Sequence, residues 1–213
     1  MSARATPPTG TEPPGAGPGA IVRPDGDTGA PVRGAGALLM TFFLASLTML
    51  FLASLVGYLV VRSRAEVWPP PGSPALPPGL WVSTAIILAS SATAHLAVVG
   101  IRKGNQVRLL VGLLATTALG VAFLMLQGFN WVELTAVDVR PDRDLYGFTF
   151  YMLTGLHAAH VIGGLIPLGI TLVKAYLGKY TWASYAGVRH VATYWHFLDV
   201  VWLVLFAVLL VGG

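Results

Sequence analysis

Five side chains stand out by where they sit. His95, His157, His160, His196 and Asp199 all lie inside long uncharged apolar runs, as does the neutral Gln127. A charged residue at the centre of a membrane helix costs roughly 2.5–3.5 kcal/mol on insertion scales. His157 and His160 are spaced i, i+3, and so are His196 and Asp199, so each pair shares one helix face. Such groups can do three things. They can hydrogen-bond one another as polar glue between helices, hold a metal or a haem, or pass protons. A di-iron carboxylate site needs Glu-x-x-His pairs, and none of the apolar runs contains a Glu. The chain has no cysteine, which excludes disulfides, iron–sulfur clusters, thiolate zinc or copper sites and covalent c-type haem.

The elements that would position these groups follow from composition. The 213 residues are 55% hydrophobic and only 10% charged, against roughly 25% charged in a soluble domain. Mean hydropathy is +0.71. So few charges cannot cover the apolar surface in water, and lipid is the expected solvent. The net charge is +4, but the basic residues are scattered singly and form no patch for nucleic acid.

Five apolar runs, at 34–61, 79–101, 109–128, 145–173 and 188–211, are each about 20 residues or longer, enough to span about 30 Å of hydrocarbon. They lack the alternation of barrel strands. The expected fold is an all-α membrane protein of five transmembrane helices, residues 34–213. Residues 1–33 hold seven prolines and six glycines and read as a disordered cytoplasmic tail with no cleavable signal. Nine Lys and Arg fall on the N-terminal side of the membrane and four on the other, which puts the N-terminus in the cytoplasm and the C-terminus outside. Arg62 and Arg64 run against that rule.

Counted at 1.5 Å per residue, His95 lies about 9 Å, His196 about 12 Å, Asp199 about 17 Å and His160 about 20 Å from the cytoplasmic ends of their spans. These depths allow one polar layer shared by three helices. Gly155, Ala159 and Gly163 recur every fourth residue, a spacing that suits close helix packing. Ala45, Ser46, Ala53 and Ser54 offer the first span a similar device, and Pro167 is a kink candidate.

Longer motifs carry a resemblance. Phe150–Gly163 (FYMLTGLHAAHVIG) resembles the signature helix of subunit III of the haem–copper oxidases, and Tyr194–Leu203 (YWHFLDVVWL) resembles that family's C-terminal helix. Thr117-Ala118-Leu119-Gly120 with Phe123 and Gln127, Ala94-His95, and Phe43-Leu44-Ala45-Ser46 fit the same order. The resemblance runs from about Ala37 to Phe206. It implies a five-helix form with the N-terminus inside and the C-terminus outside, in a bacterial-type inner membrane.

The implied role is non-catalytic. The chain would carry no catalytic residue, cofactor or metal of its own. It would pack beside catalytic subunit I, in a complex with subunit II, where haem and copper reduce oxygen and protons are pumped. It would sustain proton uptake and stability, and bind phospholipid. His95, Gln127, His157, His160, Tyr194, His196 and Asp199 would form an internal polar network, so that Asp199→Leu would strand its histidine partners. Two positions depart from the family pattern: Leu47 and Asn130 stand where typical members carry Glu. Alternatives are a subunit III-like part of a quinol oxidase or nitric oxide reductase, a haem b-binding electron-transfer anchor, and, more weakly, a transporter.

Overall fold

The computed structural model describes residues 35–73 and 76–212, so the expected tail at 1–33 lies outside the described residues. Five helices follow one another: α1 (Ala35–Arg64), α2 (Gly79–Arg102), α3 (Gln106–Ala136), α4 (Leu145–Tyr176) and α5 (Ala186–Gly212). All five are long and apolar enough to cross a membrane. The expected all-α, five-span architecture is the one observed.

Polar residues set the ends. The Asn105 side chain accepts from the Arg108 N–H at 2.8 Å, and that of Asp144 from the Gly147 N–H at 2.6 Å, so α3 and α4 begin on true caps. Three helices stop by one device. Past the end of α2, α3 and α4, the chain turns left-handed at Gly104, Asp138 and Gly178, with φ of 69°, 68° and 66°. The next residue's N–H then closes on the carbonyl of Gly100, Leu134 or Lys174. This wrap satisfies carbonyls that the helix leaves open.

The third helix runs eight residues beyond its apolar stretch, to Ala136. Hydropathy marks where lipid ends, whereas a helix continues until its backbone is turned, and nothing between Phe129 and Ala136 turns it. Pro167 sits inside a continuous α4.

Helices α2 to α5 form a closed ring in which α2 meets α3, α3 meets α4, α4 meets α5 and α5 meets α2. The close approaches are made at glycines. A Cβ on Gly112 would stand 2.8 Å from the Ala97 nitrogen of α2, and one on Gly120 or Gly164 would stand 2.7 Å from the rings of Trp195 or Tyr194.

Helix α1 attaches differently. Its inward line, Met40, Leu44, Leu47, Phe51, Leu55 and Tyr58, recurs every three or four residues. From this line Phe51 lies 5.1 Å from His160, and beside it the half-exposed Phe43 lies 5.8 Å from Tyr194, centroid to centroid. Of the four small residues of the first span, Ala45, Ser46 and Ala53 are exposed and only Ser54 is partly buried, so they form no docking stripe. Where α1 and α5 end, Arg62 donates to the Val211 carbonyl at 3.1 Å. A cation on the last turn of a helix is favoured by the helix dipole, which gives Arg62 a role that the charge rule missed.

Gly112→Ala is expected to cost about 1–3 kcal/mol, because α2 backbone would have to move. Gly163→Ala is expected to be neutral, since nothing lies within 4 Å of its Cβ position. Melting of the two variants in detergent checks the contrast.

Candidate functional site

The polar interior is organised on α2. The Trp195 indole N–H donates to Ser90 Oγ at 2.9 Å, and the Trp202 indole N–H donates to Thr84 Oγ1 at 3.0 Å. Ser91 pairs with His196 Nδ1 at 2.6 Å. These three bonds join α2 to α5. Toward α3, Thr93 pairs with Thr116 at 2.8 Å, and Asn130 donates to Ser83 Oγ at 3.2 Å. An indole N–H can only donate, so in lipid it requires a protein acceptor. The hydroxyls of Thr84 and Ser90 are free to accept because each sends its own proton to a carbonyl of α2. Farther round the ring, Trp131 donates to Thr154 at 3.1 Å and Tyr194 donates to the His160 carbonyl at 3.0 Å.

The seven polar residues singled out from the sequence separate into groups. His196 holds Ser91, with its ring 6.5 Å from that of His95 and its Nδ1 3.9 Å from Asp199 Oδ2. His160 places Nδ1 2.7 Å from the Leu156 carbonyl of its own helix and stands against Phe51, with Tyr194 bonded beside it. His157 is enclosed by Phe123 and Trp202, at 5.7 and 5.1 Å. Gln127, His157 and Asp199 are buried, and none of their side-chain polar atoms has a partner among the described residues.

When the helices are matched in height by their cross-helix bonds, His157 is level with Trp202 and His95 with Val191. The histidines therefore span about three turns, about 16 Å, rather than one layer. The spread follows from the spacing itself, since His157 counted to Val173 lies about 24 Å from the cytoplasmic end of its span, against about 9 Å for His95. Among the described residues, no three His, Asp or Glu side chains are gathered as metal ligands would be.

The stripe of Gly155, Ala159 and Gly163 meets no other helix of this chain at close range. Ala159 and Gly163 instead line a cleft of about 390 Å³ between α1 and the α4–α5 edge, with Phe43, Leu47, His160 and Tyr194. Sequence reasoning missed the Ser, Thr and Trp rungs. Their signal was available: Ser83 and Ser90, Thr84 and Ser91, and Trp195 and Trp202 are each seven residues apart, the interval that returns a helix to nearly the same face.

Fold and site together define a multi-pass helical membrane protein whose buried polar chemistry joins helices. The family model described as cytochrome c oxidase subunit III matches residues 26–213, and the chain belongs to that family. It is 34% identical over 171 residues to cytochrome c oxidase subunit 3 of Synechocystis sp., covering 78% of this chain and 71% of that protein. To the probable cytochrome c oxidase subunit 3 of Nocardia farcinica it is 35% identical, covering 78% and 82%. To the subunit 3 of Pylaiella littoralis it is 37% identical, and there the match spans 63% of the relative's length.

Asp199 makes no hydrogen bond to a histidine, contrary to the sequence-based expectation, because the nearest imidazole nitrogen is 3.9 Å away on its own helix. Replacing an unpaired buried polar group by an apolar one of similar shape is close to neutral. Asp199→Leu is therefore expected to hold thermal stability within about 1 kcal/mol. Trp195→Phe, which removes the proton that Ser90 accepts, is expected to cost about 1–3 kcal/mol in the same melting assay.

Proposed function

We propose that the chain is the non-catalytic accessory subunit of a respiratory haem–copper oxidase of the cytochrome c oxidase type. It sits beside subunits I and II in a bacterial-type inner membrane, and the partner catalytic subunit holds the haem and copper. What carries this reading is the family match, which takes in all five helices. The interior agrees with it, since Ser, Thr, Asn and Trp side chains bond neighbouring helices to one another.

The chain's task in this reading is to stabilise the complex and support its proton uptake, with residues 34–213 as its membrane unit, the N-terminus cytoplasmic and the C-terminus outside. Membrane phospholipid is an expected ligand. The two positions where typical members carry Glu are used here for packing. Leu47 is buried toward the α4–α5 side, and Asn130 ties α3 to Ser83 of α2. Any support of proton uptake therefore does not run through carboxylates at these positions.

Purification from the native membrane in mild detergent tests the reading. The chain is expected to travel with a haem-containing subunit, while the isolated chain gives no pyridine haemochrome band. A haem band in the isolated chain would instead establish an electron-transfer anchor.

A further inference from the structure

Polar side chains on the outside of a membrane bundle usually find a partner on their own helix. Ser46, Thr48 and Ser54 of α1 each return their hydroxyl to the carbonyl four residues back, and His160 does the same with Leu156. His95 does not. It is exposed on α2, about 10 Å along the helix from its end at Arg102, and it makes no hydrogen bond among the described residues.

The His196 side chain, 39% exposed, opens onto the same surface, its ring 6.5 Å from that of His95. Ser91 is bonded to it and partly exposed. Three polar groups thus make one outward patch across α2 and α5, at a depth where acyl chains offer no hydrogen bond. Ala85, Ala89 and Ala92 are exposed on α2 at i, i+4 and i+7 and form a low strip beside the patch, bordered by the exposed Leu88 and Leu96. Small residues at such spacing let another helix approach closely. Between Arg108 and Glu133 of α3, and ahead of Lys174 on α4, the exposed residues, such as Val111, Leu114, Met125, Ile166 and Ile170, are apolar and suit lipid.

We propose that the α2–α5 face is the surface on which a transmembrane helix of a neighbouring oxidase subunit docks. That helix presents a hydroxyl, carboxamide or carboxyl group to His95. An imidazole in hydrocarbon needs a donor or acceptor at its own depth. A lipid headgroup lies nearer the interface, whereas a protein helix can present such a group at any depth. The alanine strip gives that helix room to come close. This proposal rests on the accessory-subunit reading above.

A photo-crosslinking amino acid placed at Ala92 in the whole complex is expected to link to another oxidase subunit, while one at Ile166 does not. Links from Ala92 only to lipid or to a second copy of this chain, or subunit links from Ile166 alone, would overturn the proposal. His95→Leu is expected to lower the fraction of chain retained in the detergent-washed complex several-fold, with His95→Gln restoring it. Retention of His95→Leu at the wild-type level would also overturn it. If the unaltered chain fails to co-purify with any haem-containing subunit, the accessory-subunit reading itself falls and takes this proposal with it.

Discussion

In hydrocarbon, a donor that finds no acceptor in the protein finds none at all. That constraint organises this molecule. Trp195 and Trp202 bring two indole N–H groups into the centre of the ring, and α2 meets them with Ser90 and Thr84. The same helix turns Ser83 and Thr93 the other way, toward Asn130 and Thr116 of α3. A helix that accepts on two sides has to lie between its two donors. The order of the ring, with α2 between α3 and α5, is the consequence. Glycines then allow the separation that short hydroxyls need, as where Gly112 lets α3 close on Ala97.

Helix α1 lies outside this system. Among the described residues it shares no cross-helix hydroxyl bond with the ring, and it leans on the α4–α5 edge through Phe43, Phe51 and Tyr58, with Arg62 fastening its last turns to α5. Bulky side chains hold two backbones apart, so a cleft remains beneath α1, floored by the small residues of α4. Segments with few buried contacts are the first to open in a folded protein, and α1 is the least buried of the five spans. The chain thus combines a ring knitted by hydrogen bonds with one helix held by dispersion contacts and a terminal clip.

Much of the fold was legible because lipid simplifies the problem. Length and apolarity identify a span, and the five runs matched five helices. The ends were less legible. Asp138 can turn a backbone left-handed as the two glycines do, and nothing in the hydropathy of Phe129–Ala136 announces that α3 continues. The polar site was half legible. Rarity drew attention to the histidines and Asp199, yet the bonds that join the helices come from serine, threonine and tryptophan, which are common enough to pass as ordinary span residues. Gln127, His157 and Asp199 belong to the expected network, and among the described residues the fold gives their side chains no hydrogen-bond partner.

The sequence by itself determined the solvent, the number of spans, the two signature helices and the absence of thiol chemistry. Each of these depends only on which side chains are present and how far apart they fall along one chain. Tertiary structure alone decided which hydroxyl receives which indole, which glycines carry close contact, and that Ala159 and Gly163 look onto a cleft rather than a neighbouring helix. Such outcomes turn on the relative height and rotation of two helices, which neither helix specifies alone. A shift of one residue rotates a side chain by about 100° around a helix of 3.6 residues per turn, enough to exchange a buried rung for a surface group.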